Sequence, residues 1–132
     1  MPGYTRRFVL ATAVLVIASA VLRAAEPETV MITLHPKAGA EQALADVIAR
    51  HYETTRRLDM LQPGATHLTL RGTDESDKPY FVEILTWRDG SAPDNAPKAV
   101  LAIWDEMNKL VESRGGRRGL DIVPMRTVTR EK

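Results

Sequence analysis

The hydrophobic period of this chain switches between about two and about 3.6 residues in a set order, and that order restricts the fold more than any single motif. Thr29 to His35 (Thr-Val-Met-Ile-Thr-Leu-His) is β-rich and reads as a first strand, broken by Pro36-Lys37-Ala38-Gly39. From Ala40 to about Leu58 the apolar positions are Ala40, Ala43, Leu44, Val47, Ile48, Tyr52, Thr55 and Leu58. That spacing predicts an amphipathic helix. Glu41 and Asp46 near its start, with Arg56 and Arg57 near its end, complement the helix dipole. After the turn Gln62-Pro63-Gly64, residues Ala65 to Arg71 alternate as a second strand.

Gly72 to Lys78 is polar and reads as a hairpin loop, and Pro79 to Arg88 as a third strand. Asn95 is the expected N-cap of a second helix, with Pro97 in its first turn. That helix carries Val100, Leu101, Ile103, Trp104, Met107, Leu110 and Val111 and is expected to run to about Arg114, with Gly115-Gly116 as its C-cap. Leu120 to Val128 is a last strand, and Pro124 marks it as an edge or a bulge. The order β-α-β-β-α-β predicts an α+β, ferredoxin-like layer: an antiparallel four-stranded sheet with two helices on one face. In the expected 4-1-3-2 order, strands one and three are taken to run parallel. The helix-covered face is expected to carry Val30, Ile32, Leu34, Leu68, Leu70, Val82 and Ile84. The other is expected to carry Met31, Thr33, His35, His67, Thr69, Phe81, Glu83, Leu85 and Trp87. So apolar a second face fits another protein surface, most simply a second copy of the same sheet.

The N-terminus has the three parts of a secretory signal peptide: Arg6-Arg7, an uncharged run from Phe8 to Leu22, and the small-residue exit Ala18-Ser19-Ala20, with Ala24 and Ala25 beyond. The run is shorter than the roughly 20 residues of a spanning helix, so export without a stable membrane anchor is expected. Arg6-Arg7-Phe8-Val9-Leu10 also fits the twin-arginine pattern. Residues 1–25 are read as the signal, with cleavage near 20–25, and 26–132 as one domain. Cleavage after Ala20 removes Arg6 and Arg7 and takes the net charge from +1 to −1. A near-neutral domain lacks the basic patch that a nucleic-acid partner requires. The chain has no cysteine. Disulfides and thiolate chemistry are thereby excluded, and apolar burial must hold the fold.

Val30-Met31-Ile32-Thr33-Leu34-His35-Pro36-Lys37-Ala38-Gly39 and the helix after it resemble the opening of antibiotic biosynthesis monooxygenase-like domains. So does Phe81-Val82-Glu83-Ile84-Leu85-Thr86-Trp87, leading into Pro97-Lys98-Ala99-Val100-Leu101-Ala102-Ile103-Trp104. The resemblance implies a homodimeric α/β barrel made by two sheets packed face to face. Its members include cofactor-independent oxygenases of quinols and polyketides, and haem-degrading enzymes. The latter place a histidine early in the second helix. The last histidine here is His67, so haem is not expected and no cofactor is called for.

His35 and His67 are the candidate bases, with Glu83 as a carboxylate to orient one of them. Trp87, Phe81 and Leu85 are candidate walls for a small apolar or aromatic substrate. The plainer reading of the same residues is a set of satisfied polar groups at strand ends or in a dimer interface. Two histidines and a glutamate suit a metal chemically, but no tight ligand spacing supports a metal site. His51 is expected at the edge of the core, Trp104 and Met107 within it, and the Arg-Gly-Gly triplet at a helix end. The leading functional expectation is a small-molecule-binding domain of the cofactor-independent monooxygenase type. The alternative is a non-catalytic ligand-binding or assembly module of the cell envelope.

Overall fold

A computed structural model describes residues 26–128. The expected signal segment, residues 1–25, and its cleavage site lie outside the described residues. The elements are β1 (Glu28–Leu34), α1 (Glu41–Arg57), β2 (Leu68–Thr73), β3 (Pro79–Trp87), α2 (Lys98–Leu110) and β4 (Leu120–Met125), with a short 3₁₀ turn at Pro93–Asn95. The strands form one antiparallel sheet in the order β2-β3-β1-β4. Among the described residues, no helix is long and apolar enough to cross a membrane.

The expected parallel pairing of strands one and three is corrected: β1 and β3 are antiparallel. The crossover through α1 brings β2 back in the direction of β1, and the Thr73–Pro79 hairpin reverses the chain once more. Glu28 therefore lies opposite Trp87 and Leu34 opposite Phe81.

That register also corrects the two faces. Residues directly opposite one another share a face. Val30 pairs with Leu85, Ile32 with Glu83 and Leu34 with Phe81, and all six are buried. Together with Trp87 they form the helix-covered face, against Leu44, Val47 and Ile48 of α1 and Val100, Ile103 and Met107 of α2. Val82 and Ile84, expected there, face the open side. So do their partners Leu70 and Leu68, which are exposed. Met31, paired with Ile84 and Val123, continues this face. The result is an apolar surface with no helix over it among the described residues.

Several boundaries differ from expectation, and β4 ends at Met125 rather than Val128. β2 begins at Leu68, so His67 stands just before the strand, after the Gln62–Gly64 turn. Pro97, not Asn95, caps α2, because Asn95 closes the 3₁₀ turn on Ala92. α2 ends at Leu110, well before the glycines, where Lys37 donates to the Leu110 carbonyl and Glu112 to that of His35. Gly115 and Gly116, both at positive φ (55° and 77°), instead make a two-residue turn with reciprocal bonds between Arg114 and Arg117.

Arg114 ties this end together. Its guanidinium donates to the carbonyls of Pro79 at 2.6 Å and Pro36 at 2.7 Å, and pairs with Asp74 and Glu112. One side chain thus fastens the β2–β3 hairpin to the exit of β1.

Candidate active site

The site is built around one carboxylate. Glu83 sits midway along β3, points under the helices and is fully buried. An unpaired carboxylate there would be costly. Both oxygens are instead engaged: Nδ1 of His51 donates to Oε1 at 3.0 Å, and Nε2 of His67 to Oε2 at 3.0 Å. Burial pushes the Glu83 carboxyl up, but the hydrogen bonds from His51 and His67 outweigh it and hold the group below its ordinary value. The carboxylate is therefore ionised and accepts on both sides.

Each imidazole is placed by its own element. His51 lies on the buried stripe of α1 formed by Leu44, Val47, Ile48, His51 and Thr55. The indole N–H of Trp104, on α2, meets its Nε2 at 2.9 Å. An indole N–H only donates, so Nε2 holds a lone pair and the proton of His51 is on Nδ1, aimed at Glu83. Trp87 stands edge-on to His51 and to Trp104, at 6.3 Å from each ring centre. His67 stacks on Tyr52 of α1, with ring centres 3.7 Å apart and planes 10° from parallel. Among the described residues, no buried side-chain nitrogen or oxygen lacks a partner.

Of Glu83 and its two imidazole partners, His67 is the one that reaches solvent; its side chain is 17% exposed against 1% for His51 and Glu83. It lines a cleft of about 230 Å³ with Tyr52, Arg56, Leu61, Gln62 and Leu85. That is below the roughly 300 Å³ at which drug-sized pockets begin, so a small ligand fits. Its Nε2 is committed to Glu83, and among the described residues Nδ1 makes no hydrogen bond. The arrangement suits a histidine whose free nitrogen accepts a proton while a carboxylate steadies the resulting cation.

The structure brings together His67, Glu83 and Leu85, with Trp87 behind His51. It separates the other two candidates from them. His35 follows β1 at the Phe81 end, with Nδ1 3.3 Å from the Arg118 carbonyl and its backbone bonded to Gly119 and Glu112. It lines a different, open groove with Tyr80 and Arg114. Phe81 is a core residue six positions from Trp87, roughly 20 Å along the strand. The antiparallel register of β1 and β3 is the reason: it sends the end of β1 away from the end of β3. Two members were missed. His51 is not at the core's edge but within it, and Trp104 is a hydrogen-bond donor as well as packing. The signal was present in the α1 stripe, where extending Leu44–Val47–Ile48 by three positions reaches His51. Among the described residues, no group of three acids and histidines is arranged to hold a metal ion.

No family model matches the chain, and no curated protein matches it. Solved structures do. SnoaB of Streptomyces nogalater, a cofactor-independent oxygenase, superposes with a TM-score of 0.58 over 80% of this chain and 97% of its own, at 23% identity. An antibiotic biosynthesis monooxygenase superposes at 0.57 over 77% and 99%, with 19% identity. The fold is that of the antibiotic biosynthesis monooxygenase-like proteins. A protein of Mycobacterium tuberculosis shares it too, at 0.57 over 81% of this chain and 100% of its own, with 14% identity.

Proposed function

We propose that this chain is a cofactor-independent, quinol-type monooxygenase for a small aromatic molecule, with His67 as base and Glu83 as the group that orients it. The observation that carries this reading is the 3.0 Å bond between His67 Nε2 and the buried Glu83 carboxylate at the wall of the cleft. Nδ1 of His67 takes the phenolic proton, and the imidazolium is held by Glu83. The phenolate then reduces dioxygen itself. One oxygen atom enters the ring as a new carbonyl and the other leaves as water, so the substrate supplies all four electrons. Tyr52, Leu61 and Leu85 give the cleft apolar walls, and it is small enough to favour a flat ligand. His35 and Phe81 have no part in this site.

The test is mass spectrometry of the product formed from hydroxylated naphthalenes under ¹⁸O₂. One labelled atom per product, absent with His67→Ala, supports the reading. Tight binding without any turnover replaces it with a ligand-binding or assembly module.

Two further parts of the proposal concern the whole protein. The uncovered face bearing Met31, Leu68, Leu70, Val82, Ile84 and Val123 supports a homodimer closed sheet to sheet. Arg6-Arg7 and the apolar run to Leu22 support export to the periplasm or beyond, with residues 26–132 as the working domain. A mature N-terminus between residues 21 and 26 in protein from its own host is the result expected.

A further inference from the structure

We propose that Trp104 and His51 are positioning residues that assign the exchangeable proton of the Glu83 network to His67. The inference rests on the reading of His67 as the base, but it concerns a separate physical fact.

Glu83 has two imidazole partners of similar geometry, both at 3.0 Å. Chemically either ring is able to become the cation that balances the carboxylate. Only one faces the cleft. The fold breaks this symmetry at a distance from the ligand, through the indole of Trp104. Its N–H points at Nε2 of His51 at 2.9 Å. A proton arriving at that nitrogen would set two N–H groups against each other at a ring that is 1% exposed. Rotation does not relieve the conflict, because Nδ1 is bound to Glu83 and the ring is flanked by Trp87 and Trp104. His51 therefore serves as a neutral donor fixed in one tautomer. It keeps Glu83 ionised from the closed side and leaves the open side to His67.

His67 meets no such block. Its Nδ1 is free among the described residues, its face is covered by Tyr52, and the charged groups on that side, Arg56 and Asp59, stand at the cleft rather than in the core. A proton removed from a ligand comes to rest there. Without the Trp104 donor, the same proton has a second resting place at His51, on the wrong side of the carboxylate.

The experiment is long-range ¹H–¹⁵N NMR of the histidine rings in ¹⁵N-labelled protein at neutral pH, with kinetics on the same samples. In the wild type, His51 is expected to show one protonated nitrogen, Nδ1, and an Nε2 shift typical of a hydrogen-bond acceptor. In Trp104→Phe, which keeps an aromatic ring of similar shape, that Nε2 signal is expected to move toward the protonated position. Turnover of an accepted naphthol should fall about tenfold in kcat with KM unchanged, less than the roughly 10²–10⁴-fold expected for loss of the base itself. A wild-type His51 protonated on Nε2, or on both nitrogens, overturns the inference, and that observation needs no variant to fold. An unmoved His51 spectrum in a folded Trp104→Phe protein overturns it as well. If the tautomers are as expected but no naphthol is oxidised, the proton assignment stands and the monooxygenase reading falls.

Discussion

The indole N–H of Trp104 reaches Nε2 of His51 at 2.9 Å across the packing of the two helices, and this bond fixes the tautomer of a buried histidine. The consequence runs through Glu83 to His67, because the remaining proton of His51 has the carboxylate as its acceptor. A polar network in a core this small is retained only when every member is satisfied. Here each one is.

Replacing Glu83 by leucine removes the acceptor and leaves two imidazole donors facing an apolar group. His51 has no alternative tautomer while Trp104 holds Nε2. The expected loss is about 3–5 kcal/mol of unfolding free energy, the scale of breaking a buried pair from one side. Urea unfolding followed by tryptophan fluorescence measures it. A loss under about 1 kcal/mol would mean that the carboxylate is not buried among these rings.

The fold was legible in outline because its periodicities are clean. β1 alternates Val30, Ile32 and Leu34 against Met31 and Thr33, and its core face was read correctly. β3 misled because it is apolar at both parities: Val82 and Ile84 on one side, Phe81, Leu85 and Trp87 on the other. A strand that contacts helices on one face and carries an apolar surface on the other gives no alternation to follow. Glu83 was accordingly expected on the face away from the helices, whereas two histidines compensate it in the core. Sequence placed Glu83 and His67 in one site, but neither His51 nor the role of Trp104 was read, since both depend on contacts between residues more than 30 positions apart. His35 was grouped with them through the wrong strand direction alone.

Acid titration offers an independent check on the charge of Glu83. A glutamate in an unfolded chain titrates near pH 4.3. In the fold its pKa is lower, with burial raising it and the bonds from His51 and His67 lowering it further than that. Such a group contributes its stability in full above about pH 4.3, and the contribution is lost as pH falls through the lower folded value. The stability gap between wild type and Glu83→Gln should therefore narrow as pH falls below about 4.3. A gap that widens below that pH would indicate a carboxyl held neutral in the fold.

Arg114 governs stability at the end of the sheet remote from the cleft. Arg114→Met keeps the aliphatic stem but leaves the carbonyls of Pro36 and Pro79 without their donor. The expected cost is about 2–3 kcal/mol, with the tautomer of His51 unchanged. Lysine is not expected to restore it, because one ammonium does not reproduce the fork that spans both carbonyls. Thermal unfolding of the two variants gives the comparison.

The uncovered sheet face predicts its own result. Ile84 lies at its centre, between Met31 and Leu68. A glutamate at position 84 would bury two charges against each other across a two-fold axis. Sedimentation velocity should show a dimer for the wild type and a folded monomer for Ile84→Glu. A wild-type monomer at micromolar concentration would remove the second sheet as the occupant of this face.

Oxygen uptake during turnover of a hydroxylated naphthalene, compared between wild type and His67→Ala with the spontaneous rate subtracted, reads the role of His67 without an intermediate step. Catalysed uptake by the wild type with no added cofactor is expected, with a fall of at least about 10²-fold in the variant. Equal uptake by both proteins would contradict His67 as the base, and uptake by neither would contradict the monooxygenase itself.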